Sequence, residues 1–412
     1  MLRVGRSFQR LWLATAVSAV GDGMLISGFQ LLAERKTANE FQIASVFAIG
    51  RIPWAAALLF GAWADRRNAR SVLVGADVFR SLLLSCLGVL LLVRAEAVSL
   101  LLLMVAIFCL NAASVCFFCG MQRAFPMIVQ DRDLERASGY QEVALTGGEM
   151  LLGPSLGGVL FLAGKGPVIG DALSFAGSAA LLTTLPSMPA SGGPTGAWHD
   201  IKAGGAHFRS SPVIRSLTSA ISVAAFLQAY TLSTLVIMGK ITFGLSDAAF
   251  GLFLTTIALG SIVGGFVAPR TIDLLGGSTI PAIMVILGLC YLACIGVRSA
   301  TFVALALAVE GVGIVVANVY NGVARTRLTP PELRGRVVGL SRAFIYGAQV
   351  PGALTAGVIA RQLGTDWVFG IAGTAFVVLG LAIARPLRRT LRENPGWQAG
   401  SQPEVSAQAE VD

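Results

Sequence analysis

Residues 61–70 read GAWADRRNAR. The stretch sets Asp65, Arg66, Arg67 and Arg70 between two apolar runs, 41–64 and 71–93. Each run is near the roughly 20 residues that a helix needs to cross the hydrocarbon of a bilayer. A short charged turn between two such runs is what a pair of antiparallel membrane helices leaves at the water boundary.

The pattern continues in both directions. Apolar runs at 8–31, 41–64, 71–93, 98–122, 136–162, 167–187, 213–238, 248–269, 279–297, 300–324, 338–360 and 365–385 predict an all-α integral membrane protein with twelve transmembrane helices. Composition agrees: 55% of the 412 residues are hydrophobic and 13% charged, against about 25% charged in soluble domains. The 48 glycines suit helices that approach one another closely in lipid. The first run is too long for the apolar part of a cleaved leader, so it is expected to be retained as a membrane helix.

A net charge of +9 raises nucleic acid as a partner, but the basic residues form no cluster and instead punctuate the apolar runs. Of the 31 Lys and Arg residues, 21 fall in segments on the side of the termini and seven in the opposite loops. Arg51, Arg80 and Arg342 lie inside helices. This bias predicts an inner (cytoplasmic) membrane protein with both termini in the cytoplasm. All six cysteines sit in apolar runs, and Cys116-x-x-Cys119 has no second pair at finger spacing. The two histidines, His199 and His207, lie in a polar loop, so neither a metal nor a cofactor is expected.

The halves repeat with a period near 200 residues. Gly61-x-x-Ala64-x-Arg66 matches Gly265-x-x-Ala268-x-Arg270, Arg136-x-x-Gly139 matches Arg336-x-x-Gly339, and Gly157 matches Gly357. Two pseudo-symmetric six-helix bundles are expected at 1–188 and 213–386. A cytoplasmic loop at 189–212 joins them, and a polar, disordered tail follows at 387–412. Within the loop, Trp198, Ile201, Gly205 and Phe208 share one helical face, which fits a short interfacial helix or an irregular linker. Two parallel halves are what an alternating-access transporter needs.

The 61–70 stretch resembles the G-x-L-A-D-R-x-G-R-R/K signature of the major facilitator superfamily, with Trp63 in place of Leu and Asn68 in place of Gly. The resemblance implies a gating latch in which Gly61 allows close packing and Asp65, Arg66 and Arg70 supply charges. Asp77 and Arg80, three apart on one helical face, and Arg342, a partner for Asp65 or Glu142, are expected to support it. A second stretch, Gly153-Pro154-Ser155-Leu156-Gly157-Gly158, resembles the G-P-x-x-G-G core found in drug/proton antiporters of the superfamily, with Glu149 where a glycine is usual. Proline removes a backbone hydrogen bond and glycines thin the helix, so a bend is expected at Gly153, Pro154, Gly157 and Gly158. An arginine usual in the fourth helix is missing, and Asn111 and its neighbours stand there. Gly21-Asp22-Gly23, Asp77-x-x-Arg80, Arg123 to Pro126 and Asp171-Ala-Leu-Ser-Phe175 resemble the branch that contains macrolide and enterobactin exporters.

Charges inside a membrane mark function, because each is costly unless paired or wet. Asp22, Arg51 and Glu149 each lie about 20 Å from the inner end of their helix at 1.5 Å per residue. Asp22 and Arg51 mirror each other about the first hairpin, so they are expected to pair, leaving Glu149 to titrate. A purely structural Asp22–Arg51 pair and a neutral, hydrogen-bonded or helix-capping Glu149 are the alternatives. Asp171, near the outer end of the sixth helix, is expected to be structural. Gln228, Tyr230, Glu310, Asn318 and Asn321 are candidates for the substrate cavity. No G-x-x-x-x-G-K-[ST] occurs, so ATP-driven transport is not expected, and no HExxH or GxSxG points to an enzyme. The expected function is proton-coupled efflux of a lipophilic small molecule by a monomer, its partners being that small-molecule substrate, protons and the lipid bilayer. The alternatives are an uptake symporter for an organic anion anchored by Arg51 and a nontransporting sensor on the same fold.

Overall fold

The computed structural model describes residues 5–94, 96, 98–129, 137, 140–141, 144–145, 147–162, 166–189, 205–297, 299–329 and 334–393. Thirteen helices carry the chain among these residues. The first half holds α1 (Arg6–Lys36), α2 (Glu40–Ala55), α3 (Ala57–Asp65), α4 (Ala69–Val93), α5 (Leu100–Ile128), α6 (Gly153–Leu162) and α7 (Gly166–Thr183). The second holds α8 (Pro212–Leu232), α9 (Asp247–Leu275), α10 (Thr279–Val297), α11 (Ala300–Leu328), α12 (Arg334–Leu363) and α13 (Thr365–Arg392). Among the described residues, eight helical stretches are long and apolar enough to cross a membrane, and one of them, Asp247–Ile295, takes in both α9 and most of α10. Large apolar side chains point outward, including Leu101, Leu173, Phe266 and Leu274. Water would penalise that surface, and lipid accommodates it.

The turns are built by side chains that cap helices. Asn39 accepts from the backbone N–H groups of Phe41 and Gln42 at the start of α2. Asn68 accepts from Arg70 N–H at 3.0 Å and donates to Ser187 Oγ at 2.7 Å. The departure from the superfamily signature at Asn68 is therefore an N-cap for α4. Gly364, at φ 91, lets the chain leave α12 and enter α13 through a conformation that side chains resist.

Three of the expected spans are interrupted. The second divides into α2 and α3 after Pro53, which has no N–H to donate. The fifth carries a π-helix, Gly147–Leu152, immediately before Gly153 and Pro154. The seventh continues from α8 through a turn at Ser233 and Thr234 and a three-residue helix, Leu235–Ile237, into a second π-helix, Met238–Thr242. Such π segments mark places where the regular hydrogen-bond ladder has been shifted.

In the first half α1 packs on α6 and α7, and α4 on α5 and α7. In the second, α8 packs on α12 and α13, α9 on α11, and α10 on α13. The halves meet along α2 with α12 and along α6 with α9. At the second seam a Cβ on Gly158 would lie 2.9 Å from Gly251 Cα, so backbone touches backbone. At the face opposite the termini, Arg35 of α1 and Lys240 each meet Asp247 of α9 at 2.6 Å.

Residues 205–210 of the central loop are helical. Trp198 and Ile201, the repeat positions Arg136 and Gly139, Glu142 and the tail from 394 onward lie outside the described residues.

Candidate functional site

The first half encloses a cluster of charge at the middle of its helices. Arg80 stands midway along α4, and its side chain is 1% exposed. Its Nη1 donates to Asp22 of α1 at 3.1 and 3.3 Å and to Ser114 Oγ of α5 at 3.1 Å. Its Nη2 donates to Ser18 Oγ at 3.1 Å and to Asp77 Oδ1 one turn back on α4. The guanidinium also lies 4.0 Å over the ring of Phe175 and 4.8 Å over that of Phe117. A third carboxyl, Asp171 of α7, is fully buried within electrostatic reach of Arg80 and Asp22, and accepts from Ser174 Oγ at 2.9 Å. A Cβ at Gly21 would collide with Asp171 Oδ1 and Ser174 Oγ, so this glycine is what lets α7 close on α1.

Asp77 and Asp171 are sealed, whereas the Asp22 side chain is 32% exposed. The cluster thus joins two carboxyls to one guanidinium, sets a third beside them, and opens through Asp22. Three acids around one cation cannot all be ionised cheaply away from water.

This arrangement corrects the sequence reading at three points. Asp22 pairs with Arg80 and not with Arg51, whose guanidinium instead lies 4.8 Å over Phe47 on its own helix. Residue counting sets depth along a helix but says nothing of rotation about its axis. Asp77 and Arg80 belong to the buried cluster rather than to a latch at the membrane boundary. Asp171 is deep beside Gly21, within the same cluster. Glu149 stands in the π-helix, half-buried, and its carbonyl packs against Gly23, next to Asp22.

The candidates for a substrate cavity separate. Gln228 and Glu310 come together with Tyr291, a residue the sequence reading did not select. Tyr230 faces elsewhere, stacked on Phe226 beside a wholly apolar cavity of about 290 Å³ between α8, α12 and α13. Asn318 is exposed on α11, and Asn321 is buried. A different group bridges the halves: Trp54 of α2 lies 5.8 Å from Phe118 of α5 and 5.2 Å from Tyr346 of α12. Arg342 of α12 covers Phe118 at 4.2 Å. Asn111, where the family arginine is missing, accepts from Trp54 Nε1 at 3.3 Å. These aromatics had no sequence signal because they are drawn from three helices with no common spacing.

The family model described as Major Facilitator Superfamily matches residues 11–326 and 242–408. The chain belongs to the major facilitator superfamily. It is a multi-pass membrane transporter of that superfamily, not an enzyme. No curated protein matches the chain. Among solved structures it is similar to the nucleoside transporter NupG, at 12% identity, covering 93% of this chain and 100% of that one, with a TM-score of 0.75. It is also similar to a bacterial homologue of the human lysosomal transporter Spinster in an inward-facing, occupied conformation, at 15% identity, 93% and 96% coverage and a TM-score of 0.72. A bacterial homologue of the iron transporter ferroportin, inward-facing, matches at 16% identity, 93% and 98% coverage and a TM-score of 0.68. Transporters of such unlike cargo share the fold and no single substrate.

At the superfamily signature loop, Arg123 of α5 is the organising side chain. It donates to the carbonyls of Ala64 at 2.6 Å, Arg67 at 2.9 Å and Pro189 at 3.2 Å, tying the loop to the end of the first half. Arg66 is exposed, Arg70 is half-buried, and Arg67 lies 4.5 Å over Trp63. The Asp65 side chain lies outside the described residues. A Cβ on Gly61 would meet only Cys119 Sγ, at 3.7 Å, so close packing is not what this glycine provides here. Close packing falls instead on Gly153, against Gly23 and Val20, and on Gly158, against α9.

Proposed function

We propose that this superfamily member couples proton movement to the export of a lipophilic small molecule by alternating access, and acts as a monomer. The observation that carries the coupling is the pairing of Arg80 with Asp22 and Asp77, with Asp171 buried beside them at Gly21. If all three acids were ionised, the cluster would hold two uncompensated negative charges inside the membrane. Each would cost several kcal/mol, so protons balance the site. Asp22, the open member, is the group that exchanges them. Glu149, packed one helix away against Gly23, is proposed as a relay acid, and Arg51 as a half-exposed charge at similar depth.

Movement would follow from charge. A proton on Asp22 weakens its hold on Arg80 and frees α1 to shift against α6, and through α6 against α9 of the other half. Trp54, Phe118, Tyr346 and Arg342 offer a lipophilic substrate an aromatic surface between the halves. The export direction is supported by the resemblance of the stretches around Asp22, Arg80 and Asp171 to exporters.

The test is transport in proteoliposomes under an imposed pH gradient, screened against lipophilic drugs, siderophores and lysolipids. A substrate driven by the gradient in the wild type and not in Asp22→Asn supports the reading. Equal gradient-driven transport in Asp22→Asn and Asp77→Asn would remove the cluster from coupling. The proposed orientation is tested in a cysteine-free background: Ala38→Cys should react with an impermeant thiol reagent outside intact cells, and Arg66→Cys should not.

A further inference from the structure

The second half contains a buried acid that the Arg80 cluster does not touch. Glu310 of α11 is 2% exposed. Tyr291 Oη of α10 donates to its Oε2 at 2.5 Å, and Gln228 approaches the same carboxyl from α8. Among the described residues no lysine, arginine or histidine pairs with it, and its Oε1 has no hydrogen-bond partner.

Among the described residues, α8, α9, α10 and α13 bring no cation to the carboxyl, and Arg342 of α12 is engaged elsewhere, over Phe118. Gln228 and Thr231 come from α8, and Tyr291, Cys290 and Cys294 from α10. The α9 side presents the backbone of Ile257 and Ser261 against Gly311. From α13, Phe369 and Phe376 hold the Tyr291 ring, with centroids 5.7 and 5.9 Å away. None of these groups is a cation. An ionised carboxylate here would be a buried charge without a counter-ion, which is among the costliest arrangements a protein can hold. A neutral carboxylic acid has no such penalty. It accepts from Tyr291 on one oxygen and carries its proton on the other.

We infer that Glu310, with Tyr291 and Gln228, forms a second proton-binding site, located in the second half and independent of the Arg80 cluster. Gln228 is half-buried and gives the site its way out. Tyr291 Oη also lies 3.4 Å from Thr231 Oγ1, and Thr231 is the penultimate residue of α8. Beyond it the chain passes through a turn at Ser233 and Thr234 into the short helix Leu235–Ile237 and the π-helix Met238–Thr242. Loss of the proton would put a charge beside the end of α8, where the helix already departs from regular geometry. Gain and loss of the proton would therefore bias this break, and with it the α8 contacts to α12 and α13.

The experiment is infrared difference spectroscopy of the purified full-length protein in lipid nanodiscs, titrated between acid and alkaline pH. The expected result is a protonated-carboxyl band that persists in Asp22→Asn and is lost in Glu310→Gln. In Tyr291→Phe, which keeps the acid and removes its donor, the same band should remain and move to higher frequency. If Glu310→Gln does not fold, the Tyr291→Phe shift decides alone. A spectrum unchanged in both variants overturns the proposal, as does a band abolished by sodium chloride at constant pH, which would make the site one for a metal cation. Loss of bands only in Asp22→Asn would overturn this site while leaving the Arg80 cluster intact.

Discussion

Asp22 of α1 and Arg80 of α4 meet at 3.1 Å across 58 residues of sequence, and the arginine is almost completely sealed while the acid is partly open. A buried cation held by an accessible acid can be released by a proton without unfolding its surroundings. Asp77 and Ser18 keep the guanidinium in place on its other nitrogen when Asp22 lets go.

Removing the cation should be far worse than removing an acid. Arg80→Gln leaves Asp22 and Asp77 without their partner and Asp171 without the cation beside it, a loss of about 3–5 kcal/mol by comparison with other broken buried pairs. The stranded carboxyls would bind protons more readily in the folded protein than in the unfolded chain. Stability of this variant should therefore fall as pH rises and recover as pH falls. Melting of Arg80→Gln in detergent across the pH range checks both claims. A deficit that is small or independent of pH would contradict the charge count.

Arg51 provides the contrast. Its guanidinium lies 4.8 Å over the Phe47 ring, an interaction worth about 0.5–1 kcal/mol at exposed sites. Arg51→Gln should shift the melting temperature little. In double-mutant cycles, Asp22→Asn with Arg51→Gln should be additive to within about 0.5 kcal/mol, whereas Asp22→Asn with Arg80→Gln should not. Strong coupling in the first cycle would restore the hairpin pair.

Two glycines should respond in opposite ways. Gly251→Val places side-chain atoms where the Pro154 carbonyl and the Gly158 backbone already stand, so α6 and α9 must separate. Gly61→Ala meets only Cys119 at ordinary contact distance. Spin labels on α6 and α9 should report a longer separation in Gly251→Val and none in Gly61→Ala. Transport should be impaired in the first and retained in the second. An unchanged distance in Gly251→Val would mean that this seam does not hold the halves.

Asp247 closes the face opposite the termini by accepting from both Arg35 and Lys240. Asp247→Asn removes the charge that joins α1 to α9 and leaves two cations facing each other. That face should open more often, and a cysteine introduced at Ser246 should react faster with a thiol reagent applied from that side. Salt should raise the wild-type rate toward that of the variant, because the pair is screened. Equal rates at low salt would show that the ion pair contributes nothing to closure.

The sequence by itself determined the membrane class, the all-helical fold and the place of the signature loop. These are local properties: an apolar run of sufficient length must become a helix in lipid, and the charges that cannot enter stay at its ends. The depth of Asp22 could be read in the same way, by counting. Its partner could not, because the direction in which a side chain points depends on which neighbour the helix packs against. Gly21 lets α7 approach α1, and Asp22 turns toward α4 and α5, away from Arg51 on α2. Glu310 was likewise visible as an intramembrane acid, but Tyr291 became its partner only when α10 and α11 were packed together. Depth is a one-dimensional quantity carried by the chain, and rotation about a helix axis is settled only by the small residues that decide how closely helices meet.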